Sequence, residues 1–319
     1  MPSALPCFDD VLDAAARIAP HARLTPVLTS TTLDALSGAR LFFKGEHLQR
    51  SGAFKFRGAC NAVWALDEHQ AAAGVVTHSS GNHGAALALA ARSRGIACHV
   101  VVPEGAVEAK LASIRRYGAL VHRCAPTIAA RETLCAQVQA QTGATLVHPY
   151  TDFHVIAGQG TAALELLAAA GPLDAVVTPI GGGGLASGTA LSVRANAAQA
   201  ALWCAEPEGA ADAARSLAAG HLQLDFIPDT RCDGLRGTLG APNFELLRRH
   251  GARVGTVSDA GTLAAMRLLW QVTKQTVEPS SAIALALVLA RPRDFAGKRV
   301  GIVLSGGNVD LDALPWMAA

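Results

Sequence analysis

Aromatic residues make up only 5% of the 319-residue chain and charged residues only 16%, and the net charge is +2 with histidine neutral. So few aromatic faces and so slight a basic excess exclude the stacking platforms and phosphate-tracking surfaces of a nucleic-acid binder. The seven cysteines, at 7, 60, 98, 124, 135, 204 and 232, are odd in number and contain no CxxC pair. A disulfide framework is therefore not expected. With no signal peptide either, a reducing, cytoplasmic compartment is the expectation. No apolar run has the uninterrupted length of a membrane span, so no membrane partner is expected. The chain also lacks a Pro/Gly/Ser-rich linker, a block of like charges and an internal repeat, so any two lobes must be tightly joined.

What is present is apolar mass: 50% hydrophobic residues, with 31 glycines spaced among β-branched runs. Short apolar runs alternate with helix-period segments along the whole chain. Strands are expected at 40–44, 75–79, 97–102, 119–122, 146–148, 175–178, 201–205, 253–257 and 298–304. Helices are expected between them, including 59–70, 85–94, 127–142, 158–170, 185–195, 260–271 and 280–289, and residues 225–243 read as a polar crossing loop. That alternation argues for an α/β fold with mostly parallel sheets covered by helices on both faces.

The chain is organised around residues 176–189, VVTPIGGGGLASGT. A strand runs into Gly181, Gly182, Gly183 and Gly184, and a helix of small residues follows. Strand, glycine turn and helix N-terminus together present backbone N–H groups to an anion. The competing reading is a tight turn in a crowded corner. Lys55 lies in GAFKFRG between two phenylalanines. Desolvated there, it is an amine nucleophile or base; the alternative is a lysine snorkelling from a buried strand edge. An anion cradle and a desolvated amine together are what a pyridoxal phosphate site requires. The SSGNHG stretch at 79–84 follows a strand and can hold a carboxylate at a helix N-terminus, or can simply cap that helix. Ser305 ends the last strand in VLSGGN. A hydroxyl beside a pyridine nitrogen limits the charge the ring absorbs and favours elimination or racemisation over transamination. A plain turn is the alternative for the Gly306-Gly307 pair.

These motifs, in this order and over nearly the whole chain, resemble fold-type II pyridoxal phosphate enzymes of the serine/threonine dehydratase and serine racemase group. SGAFKFRGA, SSGNHG and GGGGL carry the resemblance, and HPYTDFHVIAGQGT and VLSGGN support it. It implies a tryptophan synthase β-like fold of two open, mostly parallel twisted sheets flanked by helices. Residues 1–47 plus 150–319 would form a large cofactor domain, 48–149 a small substrate-gating domain, and the protein a homodimer. Lys55 would be the Schiff-base lysine, with Phe54 beside the ring, Asn82 on the ring hydroxyl and Gly181–Gly184 around the phosphate. Gly234 and Glu278 would approach the cofactor and Ser305 would face the pyridine nitrogen. Ser80 would handle a proton on the face opposite Lys55, and Ser79, Ser80, Asn82 and His83 would hold the substrate carboxylate.

The resemblance also implies a Mg2+ or Ca2+ site at Glu206, Asp212 and the Ala210 carbonyl, where hard oxygen ligands suit such ions. The substrate it implies is a small β-hydroxy amino acid. L-threonine or L-serine, converted to a 2-oxo acid and ammonia, is the first expectation. Arg131 matches an arginine that can approach a second substrate carboxylate, which keeps 3-hydroxyaspartate as an alternative. Racemisation of serine or an aspartate-type substrate, and dehydration of phenylserine, also stay open. Outside this class, Gly181-x-Gly183-x-x-Ala186 with Glu206 ending the next strand fits an NAD-dependent dehydrogenase.

Overall fold

The computed structural model describes residues 5–106, 108–314 and 316. Ten strands run in chain order: β1 (Val27–Leu28), β2 (Arg40–Gly45), β3 (Val75–Thr77), β4 (Cys98–Pro103), β5 (Leu120–Cys124), β6 (Thr145–Leu146), β7 (Ala175–Pro179), β8 (Ala201–Pro207), β9 (Arg253–Val257) and β10 (Arg299–Leu304). They form a six-stranded sheet in the order β1-β2-β10-β7-β8-β9 and a four-stranded sheet in the order β5-β4-β3-β6. Every pairing is parallel except β1 with β2, so this is the α/β fold of two mostly parallel sheets.

Strand alternation divides each core. In the small sheet, Val75, Val100 and Val102 pack with the Lys55–Ala65 and Asn82–Arg94 helices, while Val76 and Val101 face the Ile128–Thr142 helix. In the large sheet, Val177, Val300 and Ile302 pack under the Asp259–Thr273 and Pro279–Ala290 helices, while Val176 and Val303 face Leu166 and Leu185 on the other side. Burial of both faces explains why these strands read as apolar runs. The Phe153–Ala170 helix has the length and hydropathy of a membrane span, yet most of it is buried inside the protein as the central core helix.

Strand order places the ligand crevice. An open parallel sheet binds ligands outside the strand C-termini where the direction of winding reverses. In the large sheet that point lies between β7 and β10, the strands that deliver Gly181–Gly184 and Ser305. In the small sheet it lies between β3 and β6, which deliver the loops 78–81 and 147–152.

Several elements differ from the sequence reading. Two helices, Lys55–Ala65 and Glu68–Ala73, replace the one expected at 59–70, because Asp67 and Gln70 form a capping box that starts a new helix. Residues 225–240 are irregular apart from one 3-10 turn, Asp233–Leu235, and a Pro-led helix, Ala241–Arg249, then begins. A short Thr31–Ser37 helix, capped by Ser30 and ended by Gly38 at φ 67, leads into β2.

Candidate active site

Lys55 is the first residue of its helix, so the strand-edge alternative fails. The segment before it is stitched to the exit of β10. Phe54 N–H donates to Ser305 O at 2.9 Å, Gly307 N–H donates to Gly52 O at 2.9 Å, and Ala53 bridges Gly306. Lys55 Nζ donates to Pro149 O at 2.8 Å and lies 5.2 Å from the centre of the Phe54 ring. Burial lowers its pKa from 10.5 to about 8.

The tetraglycine turn lies on the other side of the same 147–152 loop. The Tyr150 ring packs directly on Gly182, and a Cβ on Gly184 would sit 3.1 Å from Tyr150 Cβ. Gly183 takes φ +94, which a side chain rarely tolerates, and begins the Gly184–Asn196 helix with no side-chain cap. Crowding therefore does demand glycine here. It does not satisfy the turn, since no protein acceptor among the described residues takes a hydrogen bond from the N–H of Gly181, Gly182, Gly183 or Gly184. Free N–H groups at the N-terminus of a helix are an anion site.

Asn82 opens the Asn82–Arg94 helix with Gly81 at the cap position, so neither Asn82 nor Ser80 is the cap. The Asn82 side chain crosses to the large sheet instead: its Nδ2 donates to Glu278 Oε1 at 2.8 Å and its Oδ1 accepts from Asn308 Nδ2 at 2.8 Å. Ser305 is buried, its hydroxyl 3.4 Å from Ser280 O, and Ser280 Oγ accepts from Gly234 N–H at 3.0 Å. Ser79 and Ser80 are half-buried, and Ser79 Oγ lies 3.4 Å from Gly81 N. His83 is buried against Val147 O at 3.2 Å, and burial followed by the charge of Lys55 keeps it neutral. His148 is pushed to about 4 by burial, then by His78 and Lys55; its Nδ1 accepts from Thr151 N–H at 3.2 Å and its ring meets those of His78 and Tyr150 edge-on.

A desolvated amine, a turn of free N–H groups and a buried hydroxyl thus converge at the strand ends of two sheets. Residues 18–306 match the family model described as "Pyridoxal-phosphate dependent enzyme". The chain belongs to this family. It is 51% identical to the β-hydroxyaspartate dehydratase of Paracoccus denitrificans, across 98% of this chain and 99% of that one. It is 48% identical to a serine racemase of Arabidopsis thaliana, across 95% and 93%. The solved structure of maize serine racemase superposes with a TM-score of 0.94 at 42% identity, covering 99% of this chain and 97% of that one. The chain is thus a pyridoxal phosphate enzyme of the serine/threonine dehydratase and serine racemase group, with lyase or racemase chemistry on hydroxy-amino acids.

The site suits that cofactor, which joins an aldehyde, a ring nitrogen and a phosphate dianion. It does not suit a dinucleotide. Glu206 is 0% exposed and its two oxygens accept from the N–H groups of Ala213 and Ala214 at 2.8 Å each, so it cannot reach a ribose. Asp212 is equally buried; its Oδ2 accepts from Leu239 N–H at 2.7 Å and its Oδ1 has no partner. Burial raises both carboxyls, Glu206 to about 8. Among the described residues no group of three or more His, Cys, Asp and Glu side chains is placed to hold a metal, so the carbonyl of Ala210 would have to complete the set.

Arg131 lies in the first turn of the Ile128–Thr142 helix, where its Nε–H donates to Thr127 O at 3.4 Å. Burial and then the charge of Arg131 hold His78 below its ordinary pKa, and the same charge acts on Tyr150. Sequence reasoning missed Asn243. Its amide Nδ2 donates to both Gly182 O at 2.6 Å and Tyr150 O at 3.0 Å, a long-range contact with no local signature.

Proposed function

We propose that the enzyme dehydrates 3-hydroxyaspartate to a 2-oxo acid and ammonia, in preference to the threonine or serine expected first. The observation that carries this is the position of Arg131. Its guanidinium forms no ion pair with a carboxylate among the described residues, and it lies near enough to His78 and Tyr150 of the crevice to act on both, opposed there by the charge of its neighbour Glu132. A dicarboxylic substrate supplies that partner. The 51% identity to a β-hydroxyaspartate dehydratase supports the same substrate.

In this reading Gly181–Gly184 hold the cofactor phosphate, Asn82 its ring hydroxyl and Ser305 its ring nitrogen, with Phe54, Gly234 and Glu278 around them. Pyridoxal 5′-phosphate held there would supply an electron sink for negative charge developing at Cα. Ser79, Ser80, Asn82 and His83 bind the α-carboxylate, and Arg131 the distal one. The Lys55 amine, neutral above pH about 8, takes the Cα proton on one face. Ser80 handles a proton on the other, which favours racemisation as a second activity. The small sheet, within residues 48–149, acts as the substrate-gating lobe, joined to the large sheet through the 52–54 and Asn82 contacts.

A panel of L-serine, L-threonine and both 3-hydroxyaspartate diastereomers, with chiral analysis of residual substrate, tests this. Arg131→Ala is expected to lower kcat/KM for 3-hydroxyaspartate by about 10- to 100-fold, the loss of one charge-assisted contact, and to leave serine nearly unchanged. An equal loss on both substrates would refute the assignment.

We further infer that Glu206, Asp212 and the Ala210 carbonyl hold Mg2+ or Ca2+. Two fully buried carboxylates side by side, one with an unpartnered oxygen, call for a cation. Chelator is expected to lower the thermal midpoint by about 5 °C, and either ion to restore it, from linkage of roughly 2–3 kcal/mol. Asp212→Asn should be insensitive to both.

A further inference from the structure

We propose that Asn243 and Tyr150 form a staple that sets the tetraglycine turn for a phosphate and fixes its register against Lys55. The inference rests on the reading that this turn holds the cofactor phosphate.

Asn243 is 0% exposed in the first turn of the Ala241–Arg249 helix. Both groups its amide meets are carbonyls, so the nitrogen must face them: Gly182 O at 2.6 Å and Tyr150 O at 3.0 Å. Gly182 O also accepts from Gly240 N–H at 3.2 Å. Two donors therefore pin one carbonyl. In a trans peptide the following N–H points the opposite way, so pinning Gly182 O aims Gly183 N–H away from Asn243. At Gly183, φ +94, Asn243 Cβ lies only 2.7 Å from where a Cβ would be, so the staple closes directly on the turn and leaves no room for a side chain there.

Tyr150 supplies the second leg. Its ring sits in a slot walled by Gly182, Gly237 and Gly240, with Gly184 against its Cα and Cβ. Its own carbonyl is held by Asn243, and the carbonyl one residue earlier, Pro149 O, accepts from Lys55 Nζ. One step of backbone thus separates the bond that orients the amine from the bond that orients the turn. The ring, by filling the slot, keeps that step from shifting.

The test compares full-length chain, stripped of cofactor, for binding of pyridoxal 5′-phosphate and of pyridoxal, which lacks the phosphate. Inorganic phosphate serves as competitor. Asn243→Ala and Tyr150→Ala are expected to shrink the affinity ratio of the two ligands by about tenfold or more, the scale of one lost buried hydrogen bond. Tyr150→Phe keeps the ring and should stay within about twofold of wild type. If Tyr150→Ala does not fold, Tyr150→Leu, which keeps bulk without the plane, should give the same shrinkage. A wild-type ratio near one overturns the phosphate reading and the staple with it. A large wild-type ratio that survives in folded Asn243→Ala overturns the staple alone. Equal weakening of both ligands also overturns it, because a general loss of structure is blind to the phosphate.

Discussion

Replacing Lys55 by alanine is expected to give a folded protein that has lost at least ~10³-fold in turnover, the scale of a positioned general base. It should also lose the cofactor absorption near ~420 nm that a lysine-linked aldehyde produces. The physical cause is the amine's environment. Burial beside Phe54 and Phe56 lowers its pKa from 10.5 to about 8, and among the described residues its acceptor is Pro149 O. The neutral amine is the reactive form, so cofactor reconstitution of the wild-type chain should accelerate with pH and reach half its limit near pH 8. A midpoint near that of a free lysine would mean the amine is not desolvated. Because the folded pKa lies below the unfolded one, the charged lysine costs stability below pH about 8 and that cost fades as pH rises. Lys55→Ala should therefore not lower the thermal midpoint at neutral pH, and loss of activity through unfolding would contradict the assignment.

Two residues along the same helix, Arg57→Ala is expected to cost about 3–5 kcal/mol, a large part of the ~5–15 kcal/mol that typically separates folded from unfolded chains. Arg57 is 0% exposed. It pairs through two bonds with Glu46, at 2.7 and 2.8 Å, and two with Glu165, at 2.6 and 2.7 Å. Lys44 completes the group at 2.5 Å from Glu165, and Thr25 donates to Glu46 at 2.5 Å. The four charges balance. Removing Arg57 leaves Glu46, also 0% exposed, facing Lys44 across the group without its bidentate partner. Arg57→Lys cannot restore the planar fork and should recover little. Urea titration of cofactor-free chain measures the loss directly; a change under about 1 kcal/mol would show that water replaces the guanidinium without penalty.

The fold class was legible because β3, β4, β7, β8 and β10 are buried on both faces and so carry unbroken apolar runs. The candidate site was legible where chemistry and local shape coincide: Lys55 between phenylalanines, four glycines after a strand, Ser305 at a strand end. Helix boundaries were misread where a short polar signal outweighed apolar period, as at Asp67 with Gln70 and at Pro242. Asn82 read equally well as a cap, since its real partners, Glu278 and Asn308, lie far along the chain. Asn243 was invisible for the same reason: nothing in GAPNFELL announces Gly182 or Tyr150. The proposed substrate rests on Arg131, whose place in the first turn of a helix also suits a surface arginine, so its role had no local signature.

The stitching of residues 52–54 to 305–307, reinforced by Asn308 Nδ2 donating to Ser51 O across 257 residues, bears on how the protein is born. During synthesis the Lys55 segment emerges early and waits, its docking partner not yet translated. Only when β10 has cleared the ribosome can the early turn close onto it. Long-range pairing of this kind is slow and leaves apolar surface uncovered in the meantime. The Lys55 segment can take its final place against β10 only at the end of synthesis.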